Sequence, residues 1–170
     1  RAIVADLPII RQNLGYIFLL GTTGLGGFGT LIYYSAYTTT ALNIGIIQGG
    51  MPAIVLVGSY FFFRTTVRFL QIFGIFATII GVVFVSTRGE FGRLMVFNLN
   101  TGDLLMLIAV LLYGSYTLGL RRKHDLSSIA LFATVVASAF ISTMPFTIYE
   151  FVSGRTIWPD HHVWAIIVMI

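Results

Sequence analysis

Charge is what this chain lacks most. From Gln12 to Phe63 it runs 52 residues without one Asp, Glu, Lys or Arg. Over the whole 170 residues the charged share is 9%, against roughly 25% in ordinary soluble domains. Cysteine is absent, which excludes disulfides and thiolate metal sites and leaves the redox compartment undetermined. The basic residues gather in short clusters between apolar runs and form no stripe, which argues against nucleic acid as a partner. What is present is apolar, 57% of the chain. About 20 apolar residues span a bilayer, so the uncharged run predicts two helices joined by a tight turn. Tyr37-Thr38-Thr39-Thr40 supplies that turn. The expected partner is the lipid bilayer.

Charge clusters divide the chain into spans at about 14–37, 42–63, 69–87, 102–120 and 127–151, with a sixth beginning near 162. The predicted fold is all-α, a polytopic membrane helix bundle. Short connections predict that consecutive helices pack as antiparallel neighbours. Counting Lys and Arg on alternate sides gives seven (Arg1, Arg11, Arg64, Arg68, Arg121, Arg122, Lys123) against three (Arg88, Arg93, Arg155). The positive-inside rule then puts the N-terminal segment in the cytoplasm. A start at Arg1 and an end inside the apolar run 163–170 are the marks expected of a piece of a longer chain.

Small residues at helical spacing predict close helix contacts. The pairs are Gly45 with Gly49, Gly74 with Thr78, Ala77 with Gly81 and Ser115 with Gly119. Ala130, Thr134, Ser138 and Ser142 form a longer stripe. Gly24-Leu25-Gly26-Gly27-Phe28-Gly29 satisfies the dinucleotide pattern by letters, but it sits in mid-span with no downstream acid before Glu90. Packing glycines are the better reading. Asp103 would need a second carboxylate at depth to act as an aspartyl protease; at the start of a helix it reads as a cap or interface residue. His161 and His162 beside Asp160 read as an interfacial belt with Trp158 and Trp164, since adjacent helical side chains point about 100° apart and make poor co-ligands. Tyr33, Tyr34 and Tyr37 read as interface anchors.

Uncharged polar groups at depth are the candidates for function. Gln48, Pro52, Val55 and Ser59 share one helical face, and Asn43, Ile47, Gly50 and Met51 an adjoining one. Proline frees the carbonyl four residues earlier, that of Gln48, and such defects persist at depth where protein or a water-filled cavity covers them. Tyr113 and Tyr116 lie deep enough for their hydroxyls to need partners. The candidate cavity residues are Asn43, Gln48, Pro52 and Tyr113, with Tyr116 and Ser35 behind them. No ionisable residue falls in the middle of a complete span, which removes the usual groups for proton coupling and for general acid and base catalysis. No cofactor or metal is expected.

Ser35-Ala36-Tyr37-Thr38-Thr39-Thr40-Ala41-Leu42-Asn43 followed by Met51-Pro52 resembles the third and fourth helices of EamA-type proteins of the drug/metabolite transporter superfamily. Phe69 to Gly74, Gly81 to Val83 and Thr87-Arg88-Gly89 are similar to that family's fifth helix. Gly102-Asp103, Tyr113, Tyr116-Thr117 and Arg121-Arg122 are similar to the opening of its second repeat, and Pro145 with Glu150 to the close of its seventh helix. The resemblance implies about helices three to eight of a ten-helix inverted repeat, with 1–93 closing the first repeat and 94–170 opening the second. Two departures stand out: Arg64 is followed by Thr65-Thr66 where a carboxylate is frequent, and Tyr113 stands where Trp is common.

The resemblance implies a secondary transporter of the plasma membrane, not an enzyme. It would move small metabolites or amino acids by alternating access, in the direction of export. A small-molecule solute is then the second partner, and a homodimer stays open. The competing classes are a membrane-embedded enzyme using Asp160, His161 and His162, and a structural subunit in which every polar group only packs.

Overall fold

The structure is a computed structural model that describes residues 5–87, 89, 100–121 and 126–154. Every described element is helical, and each of the five complete spans expected from the sequence carries a helix. The short α1 (Leu7–Gln12) starts with a proline in its first turn, where the missing N–H costs nothing. Then follow α2 (Leu14–Ser35), α3 (Ala41–Phe63), α4 (Phe69–Ser86), α5 (Thr101–Gly119) and α6 (Ser128–Val152). Helices α2, α3, α5 and α6 are long and apolar enough to cross a membrane, and α4 is shorter at 18 residues. The expected sixth span lies outside the described residues, as does most of the 88–101 connection.

Each helix departs from regularity where its sequence gives cause. In α2 the glycine-rich Thr22–Gly27 winds as a π-helical turn. Helix α3 breaks at Gly50 and restarts with Pro52 in its first turn, so Pro52 needs no N–H partner. At its far end Arg64 adopts a left-handed conformation (φ 49°) and closes the helix. Pro145 lies inside α6.

The order in space is α6, α2, α5, α3, α4, because the principal contacts pair α6 with α2, α2 with α5, α5 with α3 and α3 with α4. This corrects the expectation of consecutive neighbours. It holds for α3 and α4, but α5 stands between α2 and α3. Gly102 explains the wedge: a Cβ there would lie 2.6 Å from the Ser35 carbonyl oxygen and 2.9 Å from Thr39 Cβ. Only a residue without a side chain lets the start of α5 sit under the 35–40 turn.

The glycines of α2 make the other close approaches. A Cβ on Gly21 would meet the Val135 carbonyl oxygen at 2.4 Å, one on Gly24 the Tyr116 ring at 2.1 Å, and one on Gly26 Ser142 Oγ at 2.6 Å. Within the dinucleotide-like pattern, Gly24 thus packs on α5 and Gly26 on Ser142 of the α6 stripe, while Gly29 meets nothing within 4 Å among the described residues. Gly49 likewise meets Val82 of α4, whereas a Cβ on Gly74 or Gly81 would touch nothing within 4 Å among the described residues. Two apolar clusters complete the core. One joins Ile17 and Leu20 to Ala130 and Val135; the other joins Met106, Ala109 and Val110 to Phe28, Ile44 and Ile54.

Candidate functional site

The candidate residues separate into three places. Gln48, Pro52 and Tyr113 line one groove between α3, α4 and α5, with a volume of about 750 Å³. Ser59 completes the face of α3 expected from the helical wheel, while Gln71 and Thr78 of α4 and Thr117 of α5 supply the opposite walls. Arg121 lies at the end of the groove where α3 and α5 finish, and its guanidinium carbon stands 5.5 Å from the centroid of the Phe63 ring. At the break, Gly50 N–H donates to the Ile47 carbonyl at 3.1 Å, and Ala53 N–H to that of Gly50 at 3.0 Å. Polar groups therefore face an open volume beside the break in α3. That arrangement can hold a solute by amide, hydroxyl and ring contacts, with the Arg121 guanidinium as the charged group at one end.

Tyr116 takes a different position. Its ring packs on Gly24 and lies 5.6 Å from that of Tyr113, which in turn sits 4.8 Å from Phe28. Tyr113 therefore links the groove to the interface of α2 and α5, while Tyr116 fills that interface.

Asn43 and Ser35 belong to a polar knot at the other end of the bundle. Asp103, fully buried, forms a reciprocal cap with Asn100: Asp103 N–H donates to Asn100 Oδ1 and Asn100 N–H to Asp103 Oδ2, both at 3.0 Å. Asn43 Nδ2 donates to both carboxylate oxygens, and Thr39 Oγ1 donates to one of them. Thr40 caps α3 by accepting from Asn43 N–H at 3.2 Å. Ser35 is buried beneath the turn, its hydroxyl on the Ile32 carbonyl and its own carbonyl accepting from Thr38 and Thr39 N–H. A carboxylate this deep persists because several donors replace its water. The cap reading of Asp103 agrees with this geometry.

One charged residue gained significance only in three dimensions. Glu150, near the end of α6, accepts from Tyr33 Oη at 2.8 Å, and Tyr33 accepts from Tyr37 Oη at 2.6 Å. The only sequence signal was the i, i+4 spacing of Tyr33 and Tyr37 on α2. At the basic end, Asp6 accepts from Ser127 Oγ at 2.6 Å and Ser127 N–H at 3.0 Å. These bonds, the hydroxyl one foremost, hold the Asp6 carboxyl below its ordinary value against a small opposing effect of burial. No group of His, Asp and Glu able to hold a metal ion occurs among the described residues, and Asp160, His161 and His162 lie outside them.

Apolar helices of bilayer length, holding a polar-lined groove at a helix break, mark a multi-pass membrane protein. Residues 2–87 match the EamA-like transporter family, and the chain belongs to it. Among similar proteins, the uncharacterized transporter YyaM of Bacillus subtilis is 26% identical over 68% of this chain and 38% of its own length. An uncharacterized transporter of Methanothermobacter thermautotrophicus is 30% identical over 64% of this chain and 29% of its own. The uncharacterized transporter YetK of Bacillus subtilis is 22% identical over 84% and 43% respectively. The chain thus spans less than half the length of the curated relatives it matches. No solved structure matches it.

Proposed function

We propose that this chain forms one wall of the solute path of a secondary transporter in the plasma membrane. It moves small metabolites or amino acids outward by alternating access. The observation that carries this reading is the meeting of Gln48, Pro52 and Tyr113 with Ser59, Gln71, Thr78 and Thr117 around one groove at a helix break. Broken helices lining a cavity are how transporters present backbone and amide dipoles to a solute at membrane depth. The two repeats meet within 88–101, and the excess of Lys and Arg places the Arg11, Arg64 and Arg121 end in the cytoplasm. Asn43 and Ser35 serve this path from the knot, by holding α3 and α5 in register.

Uptake of labelled amino acids into inverted membrane vesicles tests the reading. Gln48→Ala and Tyr113→Ala each remove one polar or aromatic contact and should lower the rate about tenfold, the equivalent of ~1.4 kcal/mol. Wild-type rates from the double variant would overturn it.

A further inference from the structure

We propose that Glu150 and the tyrosines around it form a recognition site for an organic ammonium group. It lies at the end of the bundle away from the basic cluster and is separate from the α3–α4–α5 groove. A cavity of about 660 Å³ opens there between α2, α5 and α6, with eight lining residues that include Tyr34, Tyr37, Tyr149 and Glu150 as well as Thr38 and Thr101. Three of the eight are aromatic, two are leucines, two are threonines and one is a carboxylate, and among the described residues no Lys, Arg or His lines the space. The carboxylate is positioned: Glu150 Oε1 accepts from Tyr33 Oη, and Tyr37 Oη donates to Tyr33 in turn. The three rings of α2 are held against one another, with centroids 5.3 Å apart for Tyr33 and Tyr37 and 5.5 Å for Tyr33 and Tyr34.

This combination selects for charge and for apolar shape together. An anion meets a like charge with no compensating cation among the described residues. A neutral solute leaves the carboxylate only half-solvated beside an apolar wall, which is costly near a membrane. A primary amine or a quaternary ammonium matches both parts, because its charge pairs with Glu150 while its C–H or N–H surface rests on tyrosine faces. Inorganic cations match the carboxylate but leave the aromatic walls unused.

Ammonium chemistry can reach this end of the bundle as a free solute or as the headgroup of a phospholipid. Binding of radiolabelled tetraethylammonium to the protein in nanodiscs decides the proposal, independently of any transport measurement. In phosphatidylglycerol discs, saturable binding is expected, and Glu150→Gln should weaken it at least about tenfold. This variant keeps an acceptor for Tyr33 and removes only the charge. Tyr34→Phe should bind within about twofold of wild type and Tyr34→Leu several-fold more weakly, since the ring face and not the hydroxyl is used. Discs containing phosphatidylethanolamine and phosphatidylcholine then separate the sources. Competition by those lipids assigns the site to headgroups, and unchanged binding assigns it to a free solute, each in support. Absence of saturable binding by the unsubstituted protein overturns the proposal, and so does an undiminished Glu150→Gln variant with intact thermal unfolding.

Discussion

Asn43 Nδ2 stands 3.0 Å from each carboxylate oxygen of Asp103, bridging the starts of α3 and α5 across 60 residues of sequence. Both side chains are removed from solvent, at 4% and 0% exposure. Asn43→Ala therefore leaves a buried carboxylate short of two contacts. Bonds to charged groups contribute about 1.5–3 kcal/mol in soluble proteins, while interhelical bonds in bilayers contribute less, about 0.6–1.7 kcal/mol. A loss of about 1–3 kcal/mol is expected, read as a lower Tm in detergent. Asn43→Asp should be worse, because it adds a second negative charge to the first. An unchanged Tm for both variants would show that the knot does not join the helices.

Gly102 and Gly81 offer a paired test of where backbones touch. A Cβ at Gly102 meets backbone and Thr38 Oγ1 at 2.6 Å, so Gly102→Ala should destabilise by about 1–3 kcal/mol as α5 is pushed from the 35–40 turn. A Cβ at Gly81 meets nothing within 4 Å among the described residues. Gly81→Ala should then be neutral, or stabilising by up to ~1 kcal/mol through helix propensity. Thermal unfolding of the two variants side by side checks the prediction.

Arg64 ends α3 with φ 49°, a conformation that costs a residue with a Cβ roughly 1–2 kcal/mol. Arg64→Gly should relieve part of this and raise Tm, if the neighbouring turn through Thr65 and Thr66 is unchanged. The charge it removes belongs to the basic end, so the topology should be checked in the same variant by reporter fusion. A fall in Tm would indicate that Arg64 makes a compensating contact.

Asp6 ties α1 to the start of α6 through Ser127. Its carboxyl is held below its ordinary value by those hydrogen bonds. The folded state favours the ionised form, so the contribution is complete above the unfolded value and disappears as pH falls through the folded one. Hydrogen exchange at the Ala130 amide, capped by Ser127 Oγ, should accelerate relative to intrinsic rates below about pH 4. In Asp6→Asn this extra acceleration should be missing. The same acid response in both proteins would sever the link to Asp6.

Much of the bundle was legible before any coordinates. The five helices begin and end within about two residues of the places set by charge clusters, since a helix in lipid must be apolar over the bilayer and polar beyond it. The face of α3 carrying Gln48, Pro52 and Ser59 followed from the 3.6-residue period, and that period survives the break at Gly50. Partners across the bundle were not legible. Asn43 lies one turn from Gln48 on the same helix, yet it meets Asp103 because Gly102 admits the start of α5 there. Glu150 stood in the sequence only near the close of the fifth span until α6 packed on α2 and brought it to Tyr33.

The amino-acid sequence by itself determined that this protein lives in a bilayer, where its spans lie and which ends carry positive charge. Those properties are set by transfer of local segments between water and lipid, and they need no neighbour. Tertiary structure alone decided that α5 separates α2 from α3, that the polar candidates divide between a groove and a knot, and that one carboxylate faces a set of tyrosines. In lipid no hydrophobic force chooses among helix pairings, so the choice falls to steric fit at single glycines and to hydrogen bonds between residues distant in the chain.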